Sequence, residues 1–521
     1  MIISKFSKDD VFLLFYLYDK YIKTLRGKLM NQLQKAGKFI NENINKVNYR
    51  FAPTFHVFSP IGWANDPNGF NYFNSKIHLF YQYYPYKSKW GPMHWGHVTS
   101  NDFIKWEQEI VALAPDQKYD QDYGAFSGSS MVKDNKLYLM YTGVSNNLQQ
   151  QCLALSNDGI NFEKVKLNPV ISVNQIPKGF SKSDFRDPYL FKKRYYYSLI
   201  GSSDKNGGNI LLYRSKDLLL WKFVGCLFKS DSIQDRFINK NDIFECPSFF
   251  QYKNQSVIIC SPQRFKKDKE KFQNLHSSIY IIGSLNYKNG QFNYINYDEI
   301  DSGFDFYAPQ VMRMPDKRII MIAWMNMWNR TMITQKDHWV GSFTLPRELS
   351  IKDNHLYQLP VKELNQYCFN KVEYKDILLS SNQIKSLRRI NGNTIRIDIV
   401  IDFATSKEFK IFLFKGKKHQ TILSYNLSNS LLTLDRSQSG KSIIGEEEND
   451  YTRSCFVPLI DSKLQLTIIL DRSSLEVFIN NGYKTMSANI YPNKNDQKIA
   501  FQSIDGTAII KSIIKYDIIV E

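Results

Sequence analysis

The chain has 521 residues, of which 43% are hydrophobic, 23% charged and 15% aromatic; this is the composition of a globular protein, and the length asks for more than one core. A formal net charge of +18, from 68 Lys and Arg against 50 Asp and Glu, permits attraction to nucleic acid, anionic lipid or a phosphorylated small molecule. The lysines are scattered, and the densest cluster, KKDKEK at 266–271, contains acids; with no nucleic-acid-binding signature beside it, a nucleic-acid partner is not expected.

Near the N-terminus, residues 11–18 (VFLLFYLY) are apolar, a run too short to span a bilayer and lacking a small-residue cleavage site. Stable membrane insertion is therefore not expected. Leu25, Leu29 and Leu33 recur every four residues among Lys and Gln, which predicts a short helical leader over residues 1–48. Six cysteines (Cys152, Cys226, Cys246, Cys260, Cys368 and Cys455) are widely spaced without a CxxC pair. That is neither a disulfide framework nor a zinc site, and it fits a reducing, cytoplasmic compartment.

A repeat organises the next three hundred residues. Apolar segments start at Lys76 (KIHLFYQY), Lys136 (KLYLMYTG), Arg194 (RYYYSLIG), Ser256 (SVIICSPQ) and Arg318 (RIIMIAWM), with spacings of 60, 58, 62 and 62. Each follows another apolar stretch across a polar turn, so each unit predicts two adjacent strands. Three units add an echo, SNDFIKW at 100–106, SNDGINF at 156–162 and SKDLLLW at 215–221. Repeated short strands without intervening helices favour a five-bladed β-propeller over residues 49–350, against a β-sandwich or a run of unrelated hairpins.

The rhythm stops after residues 346–349 (PREL). Residues 351–365 are expected to be a linker. In TIRIDIVIDF (394–403), Ile395, Ile397, Ile399, Ile401 and Phe403 alternate with mostly polar residues, and LEVFI-NNG-YKTMSANI (475–490) reads as a hairpin. Residues 366–521 therefore predict a separate antiparallel β-sandwich, and the fold class is all-β.

Asp66 in WANDPNG (63–69) stands ten residues before the first repeated segment, and equivalent places hold Phe126-Ser127 (AFSGS), Asp187 (FRDP), Glu245-Cys246 (FECP) and Tyr307 (DFYAP). Taken alone, WANDPNG is a buried aromatic followed by a turn. If the five places open the inner strands of a propeller, however, they meet at one end of a central channel, and three of them are carboxylates. Acids before prolines also serve as turn formers, but turn formers need not converge. Grouped acids repel, which suggests a cation or acid–base chemistry. Calcium wants six or more oxygens; the aromatic residues around these acids favour a sugar, and two carboxylates suffice to hydrolyse a glycosidic bond.

WANDPNG, FRDP and FECP, together with AFSGS, KWGPMHWGHVTSNDFIKW, DFYAPQ, GSFTLPREL and DRSSLEVFINNG, resemble glycoside hydrolase family 32, the invertases and fructan hydrolases. The likeness runs from about residue 30 to the C-terminus. It implies a five-bladed propeller plus sandwich and a retaining, two-step cleavage of a terminal β-fructofuranosyl bond without metal or organic cofactor. By the same resemblance Asp66 is the nucleophile, Glu245 the general acid/base and Asp187 a stabiliser of the sugar ring. Trp63, Asn65, Gln82, Trp90, Phe126, Ser127, Arg186, Tyr307 and Trp324 are expected to line the fructose pocket. Burial and two ionised neighbours are expected to raise the Glu245 pKa, keeping it protonated, while hydrogen-bond donors keep Asp66 ionised.

The wording of the motifs is most similar to bacterial intracellular members of that family, which cleave sucrose, sucrose 6-phosphate or short fructo-oligosaccharides. Ala64, where a larger apolar residue is usual, and MNMWNRTMITQKDHW (325–339) depart from the pattern, and both bear on the leaving group. A fructosyltransferase on the same scaffold and a non-catalytic carbohydrate-binding propeller are the competing readings; Asn65 beside Asp66 leans toward water as acceptor, and the second reading needs a lost carboxylate. The sequence does not set the oligomeric state, so a homo-oligomer stays open.

Overall fold

The computed structural model describes residues 30–233, 236–239, 242–445 and 450–520. The apolar run at 11–18, Leu25 and Leu29 lie outside the described residues. Within them the leader forms a helix, Gln32–Asn43, closed at its start by a capping box: the Asn31 side chain accepts from the Gln34 amide at 2.8 Å and Gln34 reciprocates at 3.1 Å. Its Leu33, Ala36 and Ile40 face the core, and Phe39 meets Tyr86 edge-on at 5.0 Å.

Five small sheets follow in chain order. Sheet I contains Gly62–Phe73, Lys76–Tyr84, His94–Ser100 and Trp106–Gln108; sheet II, Gly124–Lys133, Lys136–Ser145, Leu148–Ser156 and Glu163–Lys164. Sheet III runs from Phe180–Lys192 to Trp221–Lys229, sheet IV from Phe244–Tyr252 to Gln291–Glu299, and sheet V from Tyr307–Arg313 to His355–Pro360. The repeated apolar segments are the second strand of each sheet, paired antiparallel with the first. The Ser-x-Asp echoes are turns that carry the chain toward the fourth strand. In each, the aspartate (Asp102, Asp158, Asp217) accepts two backbone amides, and Trp106 and Trp221 donate back to the turn.

The first strands pack side by side and are joined by side chains. Gln310 of sheet V accepts from the Phe70 amide at 2.8 Å and donates to the Gly128 carbonyl at 2.9 Å, reaching sheets I and II together. Ser129 of sheet II donates to Pro188 O at 2.8 Å, and Tyr189 of sheet III donates to Val311 O at 3.0 Å. Trp339–Val340, from the loop after the second strand of sheet V, pairs in parallel with Gly62 and Trp63 of sheet I. The result is a β-propeller-like domain whose inner strands share one axis.

Each inner strand breaks register near its start, between Ala64 and Pro67, Phe126 and Gly128, Arg186 and Tyr189, Glu245 and Ser248, and Tyr307 and Gln310. Four of these bulges hold a proline, whose missing N–H would otherwise cost a ladder bond. Asp187, Cys246 and Ala308 there adopt φ of +64°, +48° and +51°, a costly conformation for a residue with a Cβ. The bulges turn the marked side chains out of the pleat and toward the axis.

Residues 351–365, expected as a linker, instead contribute to sheet V. His355–Pro360 pairs with Arg347–Lys352 as the outer strand, because Leu349, Ile351 and Leu356 bury against the neighbouring sheet IV core. The sandwich begins at Cys368 with two six-stranded sheets. Ile395, Ile397, Ile399 and Ile401 face its core, and Asn480, Asn481 and Gly482 form the hairpin turn with positive φ.

Buried ions join the two domains. His56, before sheet I, contacts Asp471 Oδ2 at 2.8 Å and Glu476 Oε1 at 2.9 Å, both from the sandwich. Arg347 of sheet V binds Glu476 and reaches Asp301 at 3.0 Å. Burial opposes the His56 charge, but its bonds to the two carboxylates prevail and hold its pKa up at about 9. Among the described residues, no helix is long and apolar enough to cross a membrane.

Candidate active site

One end of the shared axis opens into a cavity of about 360 Å³. Asp66 of sheet I, Asp187 of sheet III and Glu245 of sheet IV all line it, although they are far apart in sequence. Asn65, Gln82, Trp90, Phe126, Ser127 and Arg186 line it too. Tyr307 of sheet V reaches the site through its hydroxyl, which donates to Glu245 Oε2 at 2.5 Å.

Asp66 is held by its neighbours on one oxygen only. Ser127 Oγ donates to Oδ2 at 2.7 Å and the Cys246 thiol lies 3.5 Å from the same atom, while buried Oδ1 has no hydrogen-bond partner. Burial raises its pKa, the Glu245 charge adds to the effect, and Ser127 opposes it. Asp187 is pushed up to about 7, first by burial and then by Glu245 and Asp66, against the lowering effect of Arg186. Its Oδ2 accepts the Cys246 amide at 2.9 Å. The half-buried Cys246 thiol, set among three carboxyl groups, stays protonated and serves as a donor.

Glu245 differs from expectation. Burial works against its charge, but Arg186, with Nη2 on Oε1 at 2.9 Å, outweighs it together with the nearby His276 ring and the Tyr307 hydroxyl; the net shift is downward. Sequence reading counted the two acidic neighbours and missed the ion pair. Among these three carboxyls the proton therefore favours Asp187 and Asp66 over Glu245.

The aromatic wall also needs correction. Trp324 is fully buried and Trp63 is 7% exposed; neither lines the cavity. They form a layer behind it with Trp328, whose ring lies 6.0 Å from Trp63 and 5.1 Å from Trp324. Trp328 is the indole that faces the cavity. Trp63 has a positioning contact instead, donating from Nε1 to Asn65 Oδ1 at 2.8 Å. Ala64 is fully buried against Gly341, where a Cβ would meet the Ala64 carbonyl oxygen at 2.1 Å. That close crossing requires the glycine at 341, and Ala64 itself does not line the cavity.

Sequence reasoning also missed Gln149, Ser183, Asp184, Gln263 and His276. Gln149 starts the third strand of sheet II, and Gln263 and His276 flank the loop between the second and third strands of sheet IV. These positions lie in parts of the units whose lengths vary, so the repeat could not align them. The other missed residue, Trp328, belongs to the 325–339 stretch that departs from the pattern.

Four carboxyl groups and a guanidinium line the cavity, and a phenol is bonded to one of those carboxyls, an arrangement that suits proton transfer and nucleophilic attack at a sugar carbon. Two family models cover most of the chain: the glycosyl hydrolases family 32 N-terminal domain matches residues 56–360, and the family 32 C-terminal domain matches 363–517. A sucrose-6-phosphate hydrolase of Zymomonas mobilis is 35% identical over 505 residues, covering 93% of this chain and 94% of the relative. A raffinose invertase of Escherichia coli is 36% identical, covering 88% and 93% respectively. Among solved structures, a Bombyx mori GH32 beta-fructofuranosidase superposes with TM-score 0.78 at 31% identity, covering 93% of this chain and 97% of that one. Motifs, architecture and full-length similarity agree, and the chain belongs to glycoside hydrolase family 32.

Proposed function

We propose that this glycoside hydrolase is a β-fructofuranosidase that removes the terminal fructosyl unit of sucrose or a related sugar, and that its five sheets are the blades of a five-bladed propeller. The observation that carries the activity is the convergence of Asp66, Asp187 and Glu245 on one cavity, with Arg186 and Tyr307 bonded to Glu245. Relatives named sucrose-6-phosphate hydrolase and raffinose invertase supply the substrate class.

Asp66 attacks the anomeric carbon of fructose and Glu245 gives its proton to the departing glycosidic oxygen. Free Oδ1 of Asp66 is an oxygen without a competing donor. Asp187 binds fructose hydroxyls as positive charge grows on the ring. Sugar hydroxyls that donate to Asp66 and Asp187 favour their ionised forms, and the repulsion from those charges drives the proton onto Glu245. Substrate binding thus moves the proton from Asp187 and Asp66 to Glu245. In the second step, ionised Glu245 draws a proton from water, whose oxygen attacks the anomeric carbon and breaks its bond to Asp66, and fructose is released.

Six cysteines without a disulfide, together with bacterial relatives, support a cytoplasmic location. The test of function is fructose release from sucrose, with Glu245→Gln as probe. We expect the variant to lose at least about 100-fold in kcat on sucrose, the typical scale of general acid catalysis, and far less on a substrate with an activated leaving group. Equal losses on both would remove Glu245 from the acid role.

A further inference from the structure

Resting on the β-fructofuranosidase reading, we infer that Asp184 is a positioning residue for the acid step: it takes one end of the Arg186 guanidinium, leaves the other end on Glu245, and offsets enough of that cation's charge for Glu245 to carry a proton. The geometry poses the problem that such a residue answers. Both oxygens of Glu245 are engaged, Oε1 by Arg186 Nη2 at 2.9 Å and Oε2 by the Tyr307 hydroxyl at 2.5 Å. Two such donors favour the carboxylate, whereas the departing glycosidic oxygen needs a carboxylic acid.

Residues 181–184 leave the ladder of sheet III between the pairs Phe180–Asp204 and Phe185–Ser202, and this bulge sets Asp184 at the cavity wall. Its Oδ1 accepts Arg186 Nη1 at 3.1 Å, while Oδ2 accepts the hydroxyls of Ser181 and Ser203, each at 3.3 Å. Gln149 fixes the base of the bulge from sheet II, its Oε1 accepting the Phe185 amide at 2.8 Å and Arg186 Nη1 at 3.4 Å. The guanidinium is thus shared by two carboxyl groups, and the one that takes no part in the reaction sets its direction. About a third of the Asp184 side chain reaches water (32%), so its charge is partly screened and acts more weakly than a buried anion would.

Glu245 is faced by other charged and titratable groups. Asp66 of sheet I, Asp187 of sheet III and the Cys246 thiol beside it line one side, and the Tyr307 hydroxyl of sheet V another. His276 and Arg264 come from the loop of sheet IV; His276 Nδ1 accepts the Arg264 amide at 2.9 Å, and Arg264 Nε donates to Asp242 at 2.7 Å. Lys182, next to Asp184 in the chain, is exposed and outside the lining. Among the described residues that line the cavity, Asp184 is the one carboxyl that bonds to Arg186 without belonging to the reacting set.

The test is the pH profile of kcat on sucrose, whose descending limb reports Glu245 in the enzyme–substrate complex. Asp184→Asn keeps the size and an acceptor oxygen but removes the charge, leaving Arg186 less opposed and ionised Glu245 more favoured. The limb should move to lower pH by about half a unit or more, so that kcat above it falls at least about threefold while KM changes little. Asp184→Ser, a second neutral variant, should move it the same way, and Asp184→Glu, which keeps the charge, should hold the native limb. An unmoved limb in the neutral variants would overturn the inference. So would an equal displacement in Asp184→Glu, since a contact that acts through packing alone is indifferent to charge. A native enzyme that releases no fructose would instead remove the functional reading and this inference with it.

Discussion

Asp187 shows how a single buried carboxyl sets conditions for its neighbours. Its pKa near 7, caused first by burial and then by the charges of Glu245 and Asp66, lies well above that of an unfolded aspartate. A raised acid costs no stability below its unfolded pKa of about 4; its cost grows as pH rises from about 4 to about 7 and is complete above that. Asp187→Asn should therefore melt higher than the native enzyme at pH 8, by on the order of 2 kcal/mol, with the gain vanishing near pH 4. Activity should fall sharply. Thermal melts at the two pH values check this, and a variant less stable at pH 8 would show that the charge is accommodated. At this scale the sequence revealed the acids, through proline-flanked positions in a repeat. It did not reveal Arg186 as the partner that lowers Glu245, because strand neighbours in different sheets leave no spacing signal. The indole choice was hidden for a related reason. Trp63, Trp324 and Trp328 pack together, and only side-chain direction selects Trp328 to face the cavity.

The inner strands position the chemistry because each bends at the same place. A bulge, usually with proline, turns its marked residue to the axis, and side chains below it lock neighbouring sheets together. Gln310 bears most on this, since it satisfies the buried Phe70 amide and Gly128 carbonyl in two other sheets. Gln310→Met removes both bonds and leaves the two backbone groups unpaired, which should cost about 2–4 kcal/mol. Chemical denaturation checks the cost; a loss below about 0.5 kcal/mol would mean that the ring is held without it. Second strands were the legible elements, being apolar and regularly spaced. His355–Pro360 was not, because Leu356 is its one buried apolar side chain, the other buried residue being Gln358, and Leu359 is exposed; such an outer strand lacks the apolar run of an inner one.

Across the whole molecule, the propeller-like domain and sandwich are joined through the buried His56 network rather than through a flexible linker. A histidine raised to about 9 gives stability that is fully present below its unfolded pKa of about 6.5 and is lost as pH rises through 9. Native stability should fall by on the order of 2 kcal/mol between pH 7 and 10 from this group, and His56→Gln should flatten that dependence. An unaltered slope in the variant would place the sensitivity elsewhere. The two-domain plan was readable from the change of rhythm near residue 350, whereas this junction was not: His56, Arg347, Asp471 and Glu476 carry no common motif and meet only after folding. In the proposed reaction Asp66 forms the covalent bond to the sugar and Glu245 transfers the proton. Mass spectrometry of Glu245→Gln quenched after mixing with an activated fructosyl substrate tests this directly. A mass increase of one fructosyl residue is expected, on the peptide containing Asp66. A fructosyl group on another peptide, or turnover to the inverted anomer with no adduct, would contradict it.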